Sequence, residues 1–307
     1  MQELMMVMVV LLIAAVAAAP AQEESLVAGE LERVATGLQF TEGPAWHPDG
    51  YLVFSDIPAD TIYRLGEKGP EVYRRPSGNS NGLIFDRNLR LVACEHGNRR
   101  VSLTGEDGVA ASLASQYEGK RLNSPNDLVE KSDGSVYFTD PPYGVRAEQR
   151  ELDFQGVFRI GPDGKLTLAV RDFAMPNGLA FSPDEKVLYV ADTEKDCLRA
   201  FDVKEDGSLA NDRVFIRTER PERLGADGIK VDVKGNVYIT AYDGVWIVSP
   251  KGEHLETIRM EERPANLAFG DADGRTLYVT ARKSVYKVRV KHAGAAVARR
   301  PAEGAGD

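Results

Sequence analysis

The chain has 307 residues, with 38 Lys and Arg against 47 Asp and Glu, a formal net charge of −9 and two cysteines. This acidic balance argues against a nucleic-acid or anionic-membrane surface, because both need a basic patch to pair with phosphates. The length suits one large all-β domain or two small ones.

The N-terminal segment has the features of an export signal. Residues 5–19 form an apolar run that is short for a membrane span but has the length of a signal-peptide core, and a small-x-small cleavage site ends at Ala21. The segment before the run holds Glu3 and no Lys or Arg, so only the terminal amine is positive. We predict a signal peptide over residues 1–21 and a periplasmic or secreted protein, with an uncleaved anchor as the alternative.

Six copies of one pattern follow, each with a carboxylate or amide residue just ahead of a short apolar run. These six anchor residues are separated by 39, 45, 51, 50 and 39 positions, the range expected when each repeat is one four-stranded propeller blade. The anchor residues are Glu42, Asn81, Asn126, Asn177, Asp227 and Asn266.

Each repeat predicts a series of short strands. The first strand is apolar and directly follows the anchor at 43–46, 82–85 and 178–181, and it begins with the anchor at 266–269. Hairpin turns with Pro or Asp-Gly come next, because these residues preset or accept the required backbone angles. The second strand is rich in aromatic and β-branched residues, which favour packing between blades.

The sixth repeat has no fourth strand of its own. After Val290 the composition is small and polar and cannot bury enough apolar surface to fold. Residues 31–36, ahead of the first repeat, are expected to supply the missing outer strand and so leave no open edge. The predicted fold is an all-β, six-bladed β-propeller over residues 22–290, closed by this N-terminal strand and followed by a disordered tail at 291–307.

The two cysteines, Cys94 and Cys197, fall on strands two repeats apart. A disulfide would require their Cα atoms to lie within about 7 Å. Two buried thiols that pack as small hydrophobic groups are the preferred interpretation.

The anchor residues predict a metal site. The innermost strands of a propeller surround a channel, so the six anchors are expected to lie on one rim. Asn, Asp and Gly are common in loops for local reasons, but Glu42 is not of a turn-favouring type. Carboxylate and amide oxygens are ligands for one hard divalent cation, Ca²⁺ first, then Mg²⁺ or Mn²⁺. Zn²⁺ is disfavoured, though left open, because the four histidines lack metal-binding spacing.

Five sequence blocks are specific enough to compare with a known family. They are 40–44 (FTEGP), 123–128 (NSPNDL), 137–144 (YFTDPPYG), 176–184 (PNGLAFSPD) and 226–228 (ADG). They resemble the gluconolactonase, regucalcin (senescence marker protein) family over nearly the whole mature chain. The resemblance implies a six-bladed propeller that binds one divalent cation through Glu42, Asn177 and Asp227. It also implies that Asn126 ligates the metal or contacts its water and the substrate.

One departure from the family bears on specificity. Animal regucalcins carry an arginine two residues before the Asn126 position, where it contacts lactone hydroxyls, but this chain has Ser124. The substrate of the animal proteins therefore cannot be transferred to this chain.

The resemblance implies hydrolysis of a lactone. A bound cation can act as a Lewis acid on the lactone carbonyl, while a nearby base takes a proton from water. Asp227 is the base that the family implies, although a metal-bound carboxylate is a weak one. His96 is the second candidate, because its position resembles that of a histidine proposed as the base in paraoxonases. A hydrogen-bonded histidine in a blade loop is the alternative interpretation.

Other polar residues have weaker assignments. Asn81 and Tyr143 are candidate substrate contacts alongside Asn126. Gly78–Gly82 spells Gly-x-Ser-x-Gly, but a blade strand follows where a serine esterase needs a helix. The carboxylates that end second strands, at Asp56, Asp140, Asp192 and Glu95, are expected to hold loop amides.

The sequence thus predicts a metal-dependent hydrolase that opens a gluconolactone-like sugar lactone to its hydroxy acid. An aryl-ester or organophosphate hydrolase on the same centre is the nearest alternative, because a fold does not fix a substrate. A propeller that binds a ligand without catalysis is the alternative from another class. The predicted partner is a small-molecule lactone, with no nucleic acid and no membrane contact beyond the leader, and the oligomeric state is left open.

Overall fold

The computed structural model describes residues 25–217 and 224–295, and these residues form mostly β-strands. In these two ranges no helix combines the length and the hydropathy that a membrane span requires. The predicted signal peptide at 1–21 lies outside the described residues.

The described strands form six four-stranded antiparallel sheets, as predicted, and one additional hairpin. The chain begins with β1 (Glu32–Ala35). Blade one contains β2 (Thr41–His47), β3 (Tyr51–Asp56), β4 (Thr61–Gly66) and β5 (Gly69–Arg74). Blade two contains β6 (Ser80–Phe85), β7 (Leu91–Glu95), β8 (Arg100–Thr104) and β9 (Ala110–Ala114), followed by the hairpin of β10 (Gln116–Tyr117) and β11 (Lys120–Arg121).

The remaining blades repeat this order. Blade three contains β12 (Leu128–Glu130), β13 (Val136–Asp140), a 3-10 helix at Ala147–Gln149, β14 (Gln155–Ile160) and β15 (Leu166–Phe173). Blade four contains β16 (Pro176–Phe181), β17 (Val187–Asp192), β18 (Cys197–Val203) and β19 (Leu209–Arg217). Blade five contains β20 (Ile229–Val231), β21 (Val237–Ala241), β22 (Gly244–Val248) and β23 (His254–Arg259). Blade six contains β24 (Pro264–Gly270), β25 (Thr276–Ala281) and β26 (Ser284–Arg289).

The N-terminal strand closes blade six, as the sequence predicted. β1 pairs antiparallel with β26, with Arg33 opposite Tyr286 and Ala35 opposite Val285. Residues 291–295 also contact the propeller, since Val233 N donates to the carbonyl of Ala293. The rest of the predicted tail, 296–307, lies outside the described residues.

The hydrophobic core consists of layers between neighbouring blades. Each layer combines strands of two adjacent blades, which explains why the second strands carry large apolar and aromatic side chains on both faces. Cys94 and Cys197 are buried free thiols, as the sequence interpretation preferred. Cys94 lies in β7 and packs in the layer between blades two and three, and Cys197 begins β18.

The first strands begin earlier than the sequence suggested. β2, β6, β16 and β24 start two residues before the predicted positions, so Glu42, Asn81, Asn177 and Asn266 lie inside them. A shift of pairing register occurs at this point in all four strands, for example between Glu42 and Ala45. Such bulges re-aim side chains, which places anchor residues at the channel although they belong to strands.

The glycine after an anchor lets neighbouring first strands touch. Gly178 N donates to the carbonyl of Asp227 at 3.1 Å, and a Cβ on Gly178 would lie 2.2 Å from that oxygen. Gly43 has φ +46, and a Cβ there would lie 1.9 Å from the carbonyl oxygen of Asn81. The anchor-glycine pairs therefore follow from close contact around the channel.

Candidate active site and metal centre

A cavity of about 400 Å³ opens at the channel end that carries the anchor residues. This volume is at the lower end of the range for small-molecule sites. All residues that the sequence assigned to catalysis, metal or substrate line this cavity, and they come from five blades. They are Glu42, Asn81, His96, Asn126, Tyr143, Asn177 and Asp227.

Three of the anchors are joined by their side-chain amides. Asn81 Nδ2 donates to Asn126 Oδ1 at 2.6 Å, and Asn126 Nδ2 donates to Asn177 Oδ1 at 2.6 Å. Asn177 Nδ2 then donates to Thr193 Oγ1 at 3.0 Å and to the hydroxyl of Tyr143 at 3.3 Å. An amide oxygen has two lone pairs, so Asn126 and Asn177 each keep acceptor capacity for a cation.

The two carboxylates of the cavity are in an unfavourable environment for anions. Burial raises the pKa of Glu42 well above its usual range, and the charge of Asp227 raises it further. Burial also raises the pKa of Asp227, against which Arg263 acts, and the nearby Asp127 adds to the rise. Buried like charges of this kind favour a bound cation, which would reverse both shifts.

The donor set fits a hard divalent cation. Glu42 and Asp227 supply charged oxygens, and Asn126 and Asn177 supply neutral ones. Asn81 Oδ1 is buried and has no hydrogen-bond partner among the described residues, which leaves one more oxygen for an ion, its water or a substrate hydroxyl. Across residues 25–217 and 224–295, no group of three or more His, Cys, Asp or Glu side chains is arranged to hold a metal. The candidate centre therefore depends on amide oxygens.

The sixth anchor has a different position from the other five. Asn266 is buried and does not line the cavity. Its Nδ2 donates across the channel to Asp127 Oδ2 at 3.2 Å, and its Oδ1 accepts from Leu267 N at 2.8 Å. Asn266 thus gains a structural contact with a buried carboxylate in blade three.

His96 is a neutral member of the cavity wall. Its Nε2 lies 3.4 Å from Asn81 Nδ2, a distance for at most a weak hydrogen bond. Burial lowers the pKa of His96 to about 4, and a hydrogen bond with Asn126 acts in the other direction. The imidazole therefore stays uncharged near neutral pH, which permits proton acceptance but weakens His96 as a base.

Carboxylates at the ends of second strands hold the loops that lead to the anchors. Each of three such residues accepts two backbone N–H groups from the segment before the first strand of its own blade, as the sequence predicted. The pairs are Asp56 with Gln39 and Phe40, Asp140 with Asn123 and Ser124, and Asp192 with Ala174 and Met175. Glu95 differs and instead binds Arg74, Arg100 and Ser102.

The serine of the Gly-x-Ser-x-Gly stretch is structural. Ser80 is fully buried at the start of β6, and its Oγ lies 2.9 Å from Ser55 Oγ. The strand continues where a nucleophile elbow would turn into a helix.

Sequence reasoning missed several cavity residues. Thr193 follows the second strand of blade four and accepts from Asn177, while Phe40 and Ile57 provide apolar wall. Arg263 and Arg282 also line the cavity. Thr193 could have been found from its position after a strand-end carboxylate, but the two arginines lie outside the repeat pattern.

Comparison with known proteins identifies the family. The sequence profile of the family described as "SMP-30/Gluconolactonase/LRE-like region" matches residues 40–283. The chain belongs to this family. The match confirms the resemblance predicted from the sequence blocks.

Individual relatives of this SMP-30/gluconolactonase family member cover most of its length. It is similar to a gluconolactonase of Zymomonas mobilis, with 33% identity over 86% of this chain and 82% of the relative. It is 26% identical to the regucalcin of Bos taurus over 78% of this chain and 82% of the relative. A solved gluconolactonase structure from Xanthomonas campestris matches with a TM-score of 0.79 and 34% identity over 86% of this chain and 90% of that one. These relatives support the predicted propeller and the assignment to lactone-hydrolysing enzymes.

Proposed function

We propose that the protein is a metal-dependent lactonase that hydrolyses a gluconolactone-like sugar lactone to its hydroxy acid. The observation that carries this proposal is the pairing of two carboxylates, the buried Glu42 and the half-buried Asp227, with amide oxygens in one cavity of substrate size. The names of the 33% and 34% identical relatives support lactone hydrolysis as the reaction class.

Glu42, Asn126, Asn177 and Asp227 would hold one divalent cation, with Ca²⁺ preferred because all four ligands are hard oxygens. When bound, the cation polarises the lactone carbonyl and stabilises negative charge that develops on its oxygen. The same oxygen set also admits Mg²⁺ or Mn²⁺, and metal analysis of the purified protein distinguishes them.

The side chains of the cavity perform the remaining steps. Asp227 accepts a proton from the attacking water, the ring C–O bond breaks, and the proton passes to the ring oxygen that becomes a hydroxyl. Asn81 Oδ1 and the Tyr143 hydroxyl would accept or share hydrogen bonds with sugar hydroxyls, which is supported by their position on the cavity wall and by the missing partner of Asn81 Oδ1 among the described residues. His96 is the second candidate for the base, and its low pKa favours Asp227 for this role.

The test measures acid release from glucono-δ-lactone above the spontaneous rate. We expect turnover that EDTA abolishes and that Ca²⁺, Mn²⁺ or Zn²⁺ restores. Asp227→Asn should lower kcat/KM by at least about 1,000-fold with the fold retained, whereas His96→Ala should leave measurable turnover if Asp227 is the base.

Asp232→Asn is the matched control for Asp227→Asn. Asp232 is buried and, like Asp227, belongs to blade five, but it follows β20 and accepts from Lys234 N and Asn236 N away from the cavity. Asp232→Asn should reduce stability while turnover per folded molecule persists. Near-wild-type activity of Asp227→Asn would remove Asp227 from the mechanism. A panel with aryl esters and organophosphates separates the lactonase from hydrolases that share this centre.

We also propose export of the protein, which the apolar run at 5–19 and the site ending at Ala21 support. Fractionation of expressing cells and N-terminal sequencing of the product test this. A product in the cytoplasm that retains residues 1–21 would contradict it.

A further inference from the structure

Two arginines occupy one side of the cavity mouth. Arg263 precedes β24, and Arg282 lies in the turn between β25 and β26, so both belong to blade six. The other residues that blade six contributes to the cavity wall are Pro264 and Ala265. This side of the mouth is therefore positive, and the two carboxylates of the candidate metal centre come from blades one and five.

Arg263 is held in place while most of its donors remain available. Its guanidinium carbon lies 3.8 Å from the centre of the Tyr242 ring, and Nη2 donates to the carbonyl of Gly225 at 3.1 Å. A guanidinium has five N–H donors in a fixed plane, so a preorganised Arg263 can still form a two-pronged contact with a carboxylate or phosphate. Arg282 is exposed, and its guanidinium carbon lies 5.5 Å from the ring centre of Phe40.

Neither arginine forms an ion pair with a carboxylate in the part of the chain that the structure describes. Other arginines near the same loops do form such pairs, for example Arg259 with Asp243 at 3.2 Å and Arg33 with Glu261. Their charges act on Asp227 without a direct ion pair, so both guanidinium groups can still contact a ligand.

With a divalent cation bound, the charge balance of the cavity would leave a positive excess. Glu42 and Asp227 together would neutralise one divalent cation, and the charge of Lys230 acts on Asp127. Arg263 and Arg282 both lower the pKa of Asp227 through their charge, and they would become the excess positive charges of the cavity once a divalent cation is bound. In a chain of net charge −9, two such arginines at the mouth of the active site are a specific attraction for an anion.

We propose that Arg263 and Arg282 recognise an anionic substituent of the substrate. The substrate class is then an acidic sugar lactone that carries a carboxylate or a phosphate. This inference rests on the proposed lactonase function and extends it to specificity. Arginine suits the task because its planar fork matches both anions.

A binding experiment tests the anion contact without catalysis. The Ca²⁺-loaded protein is titrated calorimetrically with 1,5-anhydroglucitol 6-phosphate and with neutral 1,5-anhydroglucitol, which are cyclic sugars that cannot be hydrolysed as lactones. We expect the phosphate to bind about 10- to 100-fold more tightly than the neutral sugar. Arg263→Gln and Arg282→Gln should each reduce this ratio at least about fivefold.

Lys283→Gln is the control for a general loss of charge. Lys283 follows Arg282 in the chain and is exposed, but it does not line the cavity. The binding ratio should be unchanged in this variant. Equal affinity for the two sugars in the wild type, or a ratio that survives both arginine substitutions, would overturn the proposal.

Kinetic measurements then show whether the anionic group of the substrate is a carboxylate or a phosphate. We compare kcat/KM for glucono-δ-lactone, 6-phosphoglucono-δ-lactone and glucaro-1,4-lactone, and expect the arginine substitutions to penalise only the substrates that carry an additional charge. An equal loss of kcat/KM for neutral and anionic lactones in the arginine variants would place the arginines at the reacting centre and contradict the inference. Absence of hydrolysis of every lactone, with the binding preference intact, would refute the lactonase function and leave the anion site in place.

Discussion

At the scale of single residues, the cavity combines groups that destabilise the protein until a ligand is bound. Glu42 and Asp127 are buried, Asp227 is half-buried, and loss of solvent raises the pKa of each of the three. Residues selected for stability alone would not place three carboxylates in this environment. A site that binds a cation explains the arrangement, because the cation replaces the lost hydration.

Substitution of Glu42 tests this trade between stability and binding. In EDTA, Glu42→Gln should raise the free energy of unfolding by about 1 kcal/mol or more, because it removes a buried charge beside Asp227. In saturating Ca²⁺ the variant should have the lower free energy of unfolding, because it binds the ion less tightly than the wild type does. Urea unfolding under the two conditions measures both effects.

Glu71→Gln in β5 is the control, since Glu71 is exposed and lies outside the cavity. The free energy of unfolding of Glu71→Gln should equal that of the wild type both in EDTA and in saturating Ca²⁺. A Glu42→Gln protein that is less stable than the wild type in EDTA would contradict the electrostatic account.

His96 predicts a specific dependence of stability on pH. Its folded pKa, about 4, lies below the ordinary value of 6.5, so the native state disfavours the charged imidazole. The stabilisation from this difference is present above pH 6.5 and is lost as the pH falls towards 4. Between pH 7 and pH 5 the wild type should lose about 2 kcal/mol more than His96→Gln.

Denaturant unfolding at the two pH values measures this difference, with the exposed His254→Gln as the control. The control should lose as much unfolding free energy between pH 7 and pH 5 as the wild type does. An equally large loss in His96→Gln would show that His96 is not held neutral by its surroundings.

Residue identity allowed the carboxylates and amides that line the cavity to be predicted, but not the arginines. Glu42 was informative because a glutamate before Gly-Pro is unusual in a loop, and the repeat placed it beside other oxygen-bearing residues. Arg263 and Arg282 have no such signal, since arginine is common on surfaces and the cavity is formed by residues distant in sequence.

At the scale of strands and loops, the anchor positions depend on two devices. A bulge in the first strand turns the anchor side chain towards the channel, and a strand-end carboxylate fixes the segment before it. The composition of the strands allowed their prediction. The bulges depend on pairing with the neighbouring strand, which local sequence does not reveal. The first residues of β2 and β16 could not be predicted for the same reason.

Asp192 tests the second device. It accepts from Ala174 N and Met175 N at 3.0 Å each, three and two residues before Asn177. Asp192→Ala should cost about 1–3 kcal/mol of unfolding free energy, because buried amides lose their acceptor. It should also weaken Ca²⁺ binding through the displaced Asn177.

Asp184→Ala is the control at the other end of the same hairpin, where Asp184 accepts from Ser182 Oγ and Lys186 N. A calcium titration of both variants should find weaker binding only for Asp192→Ala. Unchanged calcium affinity in Asp192→Ala would show that its loop does not position the ligand.

At the scale of the whole molecule, the site requires a closed ring of blades. The cavity receives side chains from all six blades, and its first strands touch through bonds such as Gly228 N to the carbonyl of Ala265 at 2.8 Å. Closure depends on β1, which comes from the opposite end of the chain to β26. The repeat count predicted this closure because five blades had four strands and the sixth had three.

Removal of β1 should therefore open the ring. A variant that lacks residues 1–36 should melt at least about 10 °C below a variant that lacks only residues 1–24, since it exposes an unpaired edge and apolar surface. Calorimetry or circular dichroism measures the difference, and Arg33→Ala controls for loss of the surface ion pair with Glu261. Equal melting temperatures of the two truncated proteins would contradict the role of β1.

The central claim is that one divalent cation, held by Glu42, Asn126, Asn177 and Asp227, is required for lactone hydrolysis. The most direct measurement is a titration of the metal-free protein with Ca²⁺ in which bound metal and hydrolysis of glucono-δ-lactone are followed together. We predict that activity rises in proportion to occupancy, saturates at one ion per chain, and that neither binding nor activity appears in the Glu42→Gln, Asp227→Asn double variant. Full activity in the metal-free protein would contradict the account.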